Sequence, residues 1–315
     1  MKKIIIFALV LLLIGSILGV CALAINGFDF ITLGEGAYDT KTVEISEDFS
    51  KISVDLDITD LTVLPSENES CRVEFRESKQ RTHEAFVKDG TLYVRQQKEI
   101  RITLFNFGKG PEATLYLPKA EYDALTVDND TGDISVDKAF TFETIDIETD
   151  TGDIELYANA TDSISLSTDT GTVIMDSVHS AALSVSTETG DIRIKNCDVQ
   201  GTAKIEADTG DLELRALRAS TLMIETDTGD IELEDCIMAD SIQIESDTGD
   251  IELHRVDAAS IRMETNTGDI EGSLLSGKMF TVRSNTGDVR VPSDEVGGRC
   301  EISSDTGDIE IAIAK

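Results

Sequence analysis

Apolar and polar residues alternate along most of this chain. Residues 144–156 are typical, since polar side chains separate Ile145 from Ile147 and Ile154 from Leu156. A period of two predicts β-strands with one buried face. The many β-branched residues and a glycine in every unit argue against helix.

The pattern recurs every 19 or 20 residues. A Thr-Gly pair marks each unit, and Asp follows it in all but one copy, with glycines at Gly132, Gly152, Gly171, Gly190, Gly210, Gly229, Gly249, Gly268, Gly287 and Gly307. A fixed period of this length indicates a stacked array, in which neighbouring units bury each other's apolar faces. We therefore predict an all-β, single-domain parallel β-helix or solenoid with coils of 19–20 residues.

A third inward position is predicted seven residues after the glycine, at Val178, Cys197, Leu217, Cys236, Val256 and Leu275. The Asp-Thr-Gly-Asp segment is predicted to be a corner. Glycine adopts positive φ at low steric cost, and aspartate accepts backbone N–H groups in turns.

The two ends are less regular. Residues 52–63 align with 145–156, with Thr59 in place of the glycine. We predict that residues 27–120 form an N-terminal β cap or degenerate coils and that 121–315 form the regular solenoid. The final strand, 308–315, has nothing after it, so we expect an open C-terminal edge. Two interpretations of this edge remain open. It docks another chain, including by end-to-end self-association, or it is an end blunted by charge and fraying.

The first residues point to export. Lys2 and Lys3 precede an uncharged run over 4–25, long enough to span a hydrocarbon layer of ~30 Å. We predict one N-terminal transmembrane helix within residues 1–26, with a cytoplasmic N-terminus and an extracellular bulk. Cleavage after residues 22–24, giving a secreted protein, and lipidation at Cys21 are the alternatives.

The amino-acid composition restricts the chemical class of partner that the protein can bind. The net charge is -34, and residues 121–315 carry 13 Lys+Arg against 44 Asp+Glu. Such a surface repels nucleic acid and favours divalent cations or basic partners. Aromatic residues make up 5% of the chain and Trp is absent, which disfavours a sugar-binding cleft.

The aspartates of the corners are the candidate metal ligands. Stacked like charges need screening, and calcium prefers several oxygen ligands. The candidates for a calcium ladder are Asp150, Asp153, Asp208, Asp211, Asp227, Asp230, Asp247 and Asp250. Solvated turn-forming aspartates are the alternative, and they are favoured because the Gly-Gly-x-Gly-x-Asp pattern of calcium β-rolls is missing. We expect no cofactor, apart from weak calcium binding.

Nothing in the sequence assembles a catalytic site. His83, His179 and His254 are scattered and are predicted to lie on the surface or in loops. Cys197 and Cys236 stand two coils apart, about 9.6 Å at the strand spacing, too far for a disulfide.

The recurring T-x-T-G-D-[IL]-x-[LI] motif, as in 226–233 and 246–253, resembles the adhesin-type β-strand-repeat family of bacterial envelopes, also called toast-rack. The resemblance implies a non-enzymatic protein found beside envelope-stress and membrane-sensing proteins in Gram-positive bacteria. We expect a membrane-tethered adhesion, scaffold or interaction module with a protein or cell-surface partner. A polysaccharide-active β-helix enzyme, a lyase or hydrolase, is the alternative.

Overall fold

The structure, a computed structural model, describes residues 38–78, 82–97, 110–293 and 296–314. Within these ranges the chain contains strands and no helix. The strands are β1 (Asp39–Ile45), β2 (Lys51–Ile58), β3 (Asp60–Pro65), β4 (Cys71–Glu77), β5 (His83–Lys88), β6 (Thr91–Gln96), β7 (Glu112–Leu117), β8 (Glu121–Thr131), β9 (Ile134–Val136), β10 (Thr141–Thr151), β11 (Ile154–Leu156), β12 (Asn159–Thr170), β13 (Val173–Asp176), β14 (His179–Ser180), β15 (Ala182–Thr189), β16 (Ile192–Lys195), β17 (Asp198–Val199), β18 (Thr202–Thr209), β19 (Leu212–Arg215), β20 (Arg218–Thr228), β21 (Ile231–Glu234), β22 (Ile237–Thr248), β23 (Ile251–Val256), β24 (Ser260–Thr267), β25 (Ile270–Leu274), β26 (Lys278–Thr286), β27 (Val289–Arg290), β28 (Gly298–Thr306) and β29 (Ile309–Ile313).

The predicted transmembrane helix within residues 1–26 lies outside the described residues. In the part of the chain that is described, no helix is long and apolar enough to cross a membrane.

The strands form a solenoid of two sheets. One sheet has 14 strands in the order β1-β4-β7-β3-β9-β11-β13-β16-β19-β21-β23-β25-β29-β27. The other has 15 strands, with β26-β28-β24-β22-β20-β18-β15-β12-β10-β8-β2-β6-β5 as its main path and β14 and β17 beside it. The predicted all-β solenoid is confirmed. The third apolar stretch of each coil makes no separate sheet, because β14 and β17 belong to the second one.

Inward residues of successive coils stack in register. Ile145 lies opposite Leu125 on one side and Ile164 on the other. All three are at most 1% exposed. Each coil therefore buries its apolar face against the coils above and below, as the repeat pattern predicts.

The predicted third inward position is correct for five coils and wrong for Leu275. Val178, Cys197, Leu217, Cys236 and Val256 are buried. In the next coil Leu274 is buried opposite Val256, while Leu275 is 41% exposed. The pairing slips after Leu253, because this coil reaches its third inward position one residue early.

A second corner lies six residues after the glycine. Ser177, Asn196, Ala216, Asp235 and Arg255 have φ between 52° and 61°, the left-handed region. The sequence pattern did not reveal this corner, because none of its residues is glycine. Side chains other than those of Asn and Asp rarely adopt this conformation, so the turn here is held by the stacked strands on either side.

The C-terminal strand is not the end of the solenoid, which contradicts the predicted C-terminal edge. β28 pairs with β24 on one side and with β26 on the other, and β29 lies between β25 and β27. Residues 278–290 therefore form the last coil. The inserted coil has a complete set of buried apolar residues, at Cys300, Ile302, Ile309 and Ile311. Placing this coil between two others therefore removes more apolar surface from water than placing residues 278–290 there would.

The N-terminal end has the same inserted arrangement and is then covered. β2 lies between β8 and β6, and Thr59 occupies the place below Gly132 that a corner glycine takes elsewhere. Beyond them, β4 and β1 add antiparallel to one sheet and β5 adds antiparallel to the other. Apolar residues such as Phe75 and Leu92 are fully buried there. The division at residue 120 stays a prediction.

Candidate binding surface

The corner glycines form one continuous column. A Cβ on Gly229 would lie 2.0 Å from the carbonyl oxygen of Gly210, and a Cβ on Gly249 would lie 2.0 Å from that of Gly229. Nine of the ten corner glycines also have φ between 142° and 156°. Positive φ was predicted and is confirmed for these nine. The close approach of stacked backbones adds a second reason for glycine.

The aspartates after the glycines form a hydrogen-bonded ladder. The backbone N–H of Asp230 donates to Oδ1 of Asp211 at 3.0 Å, and that of Asp250 donates to Oδ1 of Asp230 at 2.9 Å. Thr172 donates likewise to Asp153 at 2.7 Å. Four of the calcium candidates, Asp153, Asp211, Asp230 and Asp250, each use one carboxylate oxygen in this way. Their first role is to join adjacent coils.

The ladder is interrupted at Thr172. The backbone N–H of Asp211 donates to Oδ1 of Asp191 at 3.1 Å, so the ladder resumes at Asp191. Thr172 carries a hydroxyl in place of the carboxylate, and the described hydrogen bonds include none from the N–H of Asp191 to its side chain. One departure from the repeat therefore removes one link between coils.

The other four candidates, Asp150, Asp208, Asp227 and Asp247, stand two residues before the glycine and are exposed. A shallow groove beside this column is lined by carboxylates of successive coils and by threonines, among them Asp169, Glu188, Asp208 and Asp227. Asn266 continues the column and donates its Nδ2–H to Oδ1 of Asp247 at 2.8 Å. The result is an acidic strip along one corner of the solenoid.

The structure does not gather these carboxylates around one point. Within the described ranges, no group of three or more His, Cys, Asp or Glu side chains could hold a metal ion. Each coil adds at most one carboxylate to each column, so neighbouring acids are separated by the strand spacing of ~4.8 Å. The calcium ladder stays a hypothesis.

His83 is not on the surface, which corrects the prediction. It is fully buried, stacked on Phe75 with ring centroids 5.0 Å apart. Its Nδ1 lies 3.2 Å from Oε2 of Glu77, and its Nε2 lies 3.1 Å from Oγ1 of Thr59. Burial lowers the pKa of His83, and the hydrogen bond to Glu77 acts in the opposite direction.

A hydroxyl, an imidazole and a carboxylate in a row resemble the constellation of a hydrolase. Thr59, however, is 0% exposed, so no substrate reaches its hydroxyl. The cluster satisfies polar groups where the N-terminal strands close over the solenoid. By contrast, His179 and His254 are exposed, as predicted.

The described cysteines are free and buried. Burial raises the pKa of Cys197 and Cys236 to about 11, and that of Cys71 and Cys300 to about 12. Thiols with such pKa values are poor nucleophiles at neutral pH. They act as small apolar core residues.

These features define a class of protein: a parallel β-solenoid whose coils turn at a stacked Thr-Gly-Asp corner. The chain belongs to the family described as Toastrack DUF4097, which matches residues 49–234 and 202–315. A comparison with curated proteins found no match.

Several solved structures have a similar chain. One, described as a candidate lipid-binding protein of Parabacteroides distasonis ATCC 8503, is 14% identical, with coverage of 89% of this chain and 98% of that chain and a TM-score of 0.48. A candidate adhesin of the same strain is 13% identical, with coverage of 86% and 98% and a TM-score of 0.46. A candidate adhesin of Bacteroides fragilis NCTC 9343 is 16% identical, with coverage of 88% and 98% and a TM-score of 0.40.

Proposed function

We propose that the protein is a non-enzymatic cell-envelope module: an extracellular β-solenoid, tethered by its N-terminal apolar segment, that presents a surface to a protein or cell-surface partner. The observation that carries this proposal is the placement of the two ends of the solenoid. β1, the strand that follows the apolar segment, lies at one end of its sheet, and β27 lies at the other.

The distance between these ends gives the module its reach. The sheet contains 14 strands, which at ~4.8 Å spacing extend over roughly 60 Å. A tether at one end would therefore hold the other end well away from the membrane. The acidic strip favours solubility, since like-charged surfaces repel one another.

The candidate catalytic groups of the described residues are buried or take part in structural contacts. The Thr59 hydroxyl and the His83 imidazole are buried, the four described thiols are buried, and aspartates of successive coils form a hydrogen-bonded ladder. These observations support a role in binding and scaffolding.

Cell fractionation and surface proteolysis test the proposal. The full chain carrying a C-terminal epitope tag should be found in the membrane fraction of a bacterial host, and protease added to intact cells should remove the tag. A variant lacking residues 1–26 should leave the membrane fraction. A tag that stays protected in intact cells but is cleaved after lysis would contradict the proposed topology.

A further inference from the structure

The last coil of the solenoid is open. β26 and β27 are the outermost strands of their sheets, and each pairs on one side only among the described residues. At the N-terminal end, by contrast, antiparallel strands cover the apolar interior. A parallel strand with a free edge presents backbone donors and acceptors to any extended segment.

The apolar interior reaches solvent at this end. Val289 stacks on Ile309 but is 43% exposed, whereas Ile309 is fully buried by the coils on both sides. Phe280 and Val282 pack on the core and remain partly exposed. Met279, beside them on the outer strand, is 49% exposed. One more strand in each sheet would complete the burial that every inner coil achieves.

The charge of this coil is opposite to that of the protein. The open coil, residues 278–290, carries three Lys+Arg and one acid and is followed in sequence by Asp294 and Glu295, while residues 298–314, the coil below, carry one Arg and four acids. Lys278 is buried and paired with Asp257, so it is already neutralised within the protein. The exposed cations of the open coil are Arg283 and Arg290, and Arg290 is also ion-paired with Asp288 of its own coil at 3.5 Å.

The two exposed arginines already contact oxygen acceptors within the solenoid. Arg290 contacts Oε2 of Glu310, its partner across the strand pair, at 3.2 Å. Arg283 donates to the neutral amide oxygen of Asn285 at 2.7 Å. A strand added on the outer side would meet these guanidinium groups with its own cross-strand residues, and opposite charges there stabilise the pair.

We propose that this open coil, residues 278–290, binds an extended segment of a partner protein by strand addition, and that in this segment apolar residues alternate with acidic ones. The inference rests on the proposed function and names the kind of partner that the exposed end takes. Backbone pairing with β26 and β27 supplies affinity, and the alternation supplies specificity.

A second copy of the chain is a poorer occupant. Two open coils placed end to end would bring Arg283 and Arg290 of both copies together, and like charges across strands are unfavourable. The opposite end of a second copy is covered by β1, β4 and β5, and β1 is the first described strand after the proposed tether.

A peptide titration tests the inference. The probe is a fluorescent peptide with the sequence of residues 241–254, a strand, corner and strand in which apolar and acidic residues alternate. It is titrated with the full chain in detergent and followed by anisotropy. We expect saturable binding that weakens at least tenfold in the double variant Arg283→Glu, Arg290→Glu, because both favourable charge pairs become repulsive.

Three controls make the result decisive. Arg262→Glu alters an exposed arginine of an inner coil and should leave the binding unchanged. A peptide with its four acidic residues replaced by lysine should not bind the native chain. Circular dichroism melts should show that the double variant remains folded. Equal binding to the double variant, or binding of the lysine peptide, would overturn the proposal.

Two further outcomes are distinguished by separate measurements. Sedimentation of the native chain that shows a dimer, dissociated by the double variant, would assign the open coil to a second copy and refute the partner. If the peptide fails to bind while surface proteolysis still removes the C-terminal tag, only this inference fails. If the tag is protected in intact cells, the proposed function fails as well.

Discussion

Replacing Gly229 by alanine tests whether the corner glycines are required by close packing as well as by backbone conformation. The added Cβ would lie 2.0 Å from the carbonyl oxygen of Gly210 and 2.6 Å from its carbon. Ordinary contacts begin at about 3.4 Å, so the two coils would have to separate locally by more than 1 Å. A φ of 147° adds conformational strain for any residue with a Cβ.

The expected cost is a sum of these two effects. A residue held in a sparsely populated backbone conformation costs about 1–3 kcal/mol. Overpacking a tightly packed site costs about another 1–3 kcal/mol. The variant should therefore lose about 2–6 kcal/mol, a large part of the roughly 5–15 kcal/mol that stabilises a typical domain.

Urea unfolding of the full chain, followed by circular dichroism, measures this loss. Gly90→Ala is the matched control, since Gly90 has a φ of 75° and no neighbouring atom within 4 Å of its Cβ position. That variant carries only the cost of a left-handed residue, about 1–2 kcal/mol. If Gly229→Ala loses no more stability than Gly90→Ala, close packing of the column is not what requires glycine.

The other predictions concern single features of the corners and the core. Ala216→Gly should raise the free energy of unfolding by about 1 kcal/mol, because alanine is strained at φ 52°; an unchanged or lower urea midpoint would contradict this. Asp211→Ala should cost about 1 kcal/mol by removing the acceptor for the next coil, while Asp211→Asn, which keeps an oxygen, should cost less; equal losses would show that the ladder depends on charge alone. Because burial lowers the pKa of His83, the folded chain binds a proton less readily than the unfolded chain, so stability should fall as pH drops below about 6.5, by at most about 1.4 kcal/mol per pH unit. Urea unfolding at pH 7.5 and 5.5 should show a smaller drop for His83→Gln, and an identical drop would exclude His83 as the cause. Millimolar calcium and magnesium should raise the melting temperature equally, by screening; a larger shift with calcium that Asp227→Asn reduces would instead establish a calcium site.

Much of the architecture follows from local pattern. The alternation in residues 144–156 and the fixed glycine spacing are enough to predict a β-solenoid, its corner and most of its inward residues. This works because a coil buries its apolar face only if it repeats the pattern of its neighbours. The prediction for Leu275 was wrong because the pairing of β25 with β23 shifts by one residue after Leu253. Counting positions from the corner glycine does not reveal this shift.

The features that required long-range contacts were not predicted. His83 is buried against Thr59, Phe75 and Glu77, which lie outside its own hairpin, and the local sequence of His83 does not indicate these contacts. The residues with left-handed φ at the second corner, such as Ala216, are not glycines, so the sequence gives no signal for this corner. For the Asp ladder, the sequence predicted turn-forming acids, and only the structure showed that each carboxylate accepts from the next coil.

The sequence by itself determined the coil: its length, its inward face and its Thr-Gly-Asp corner, all set by residues within about 20 positions of one another. Only the tertiary structure decided the order in which coils stack at the two ends. Residues 298–313 and residues 278–290 fit the same repeat, so periodicity cannot say which lies outside. The choice depends on the total apolar surface buried when every coil has found its neighbours. It leaves a cationic, incompletely buried coil at the end of an acidic protein.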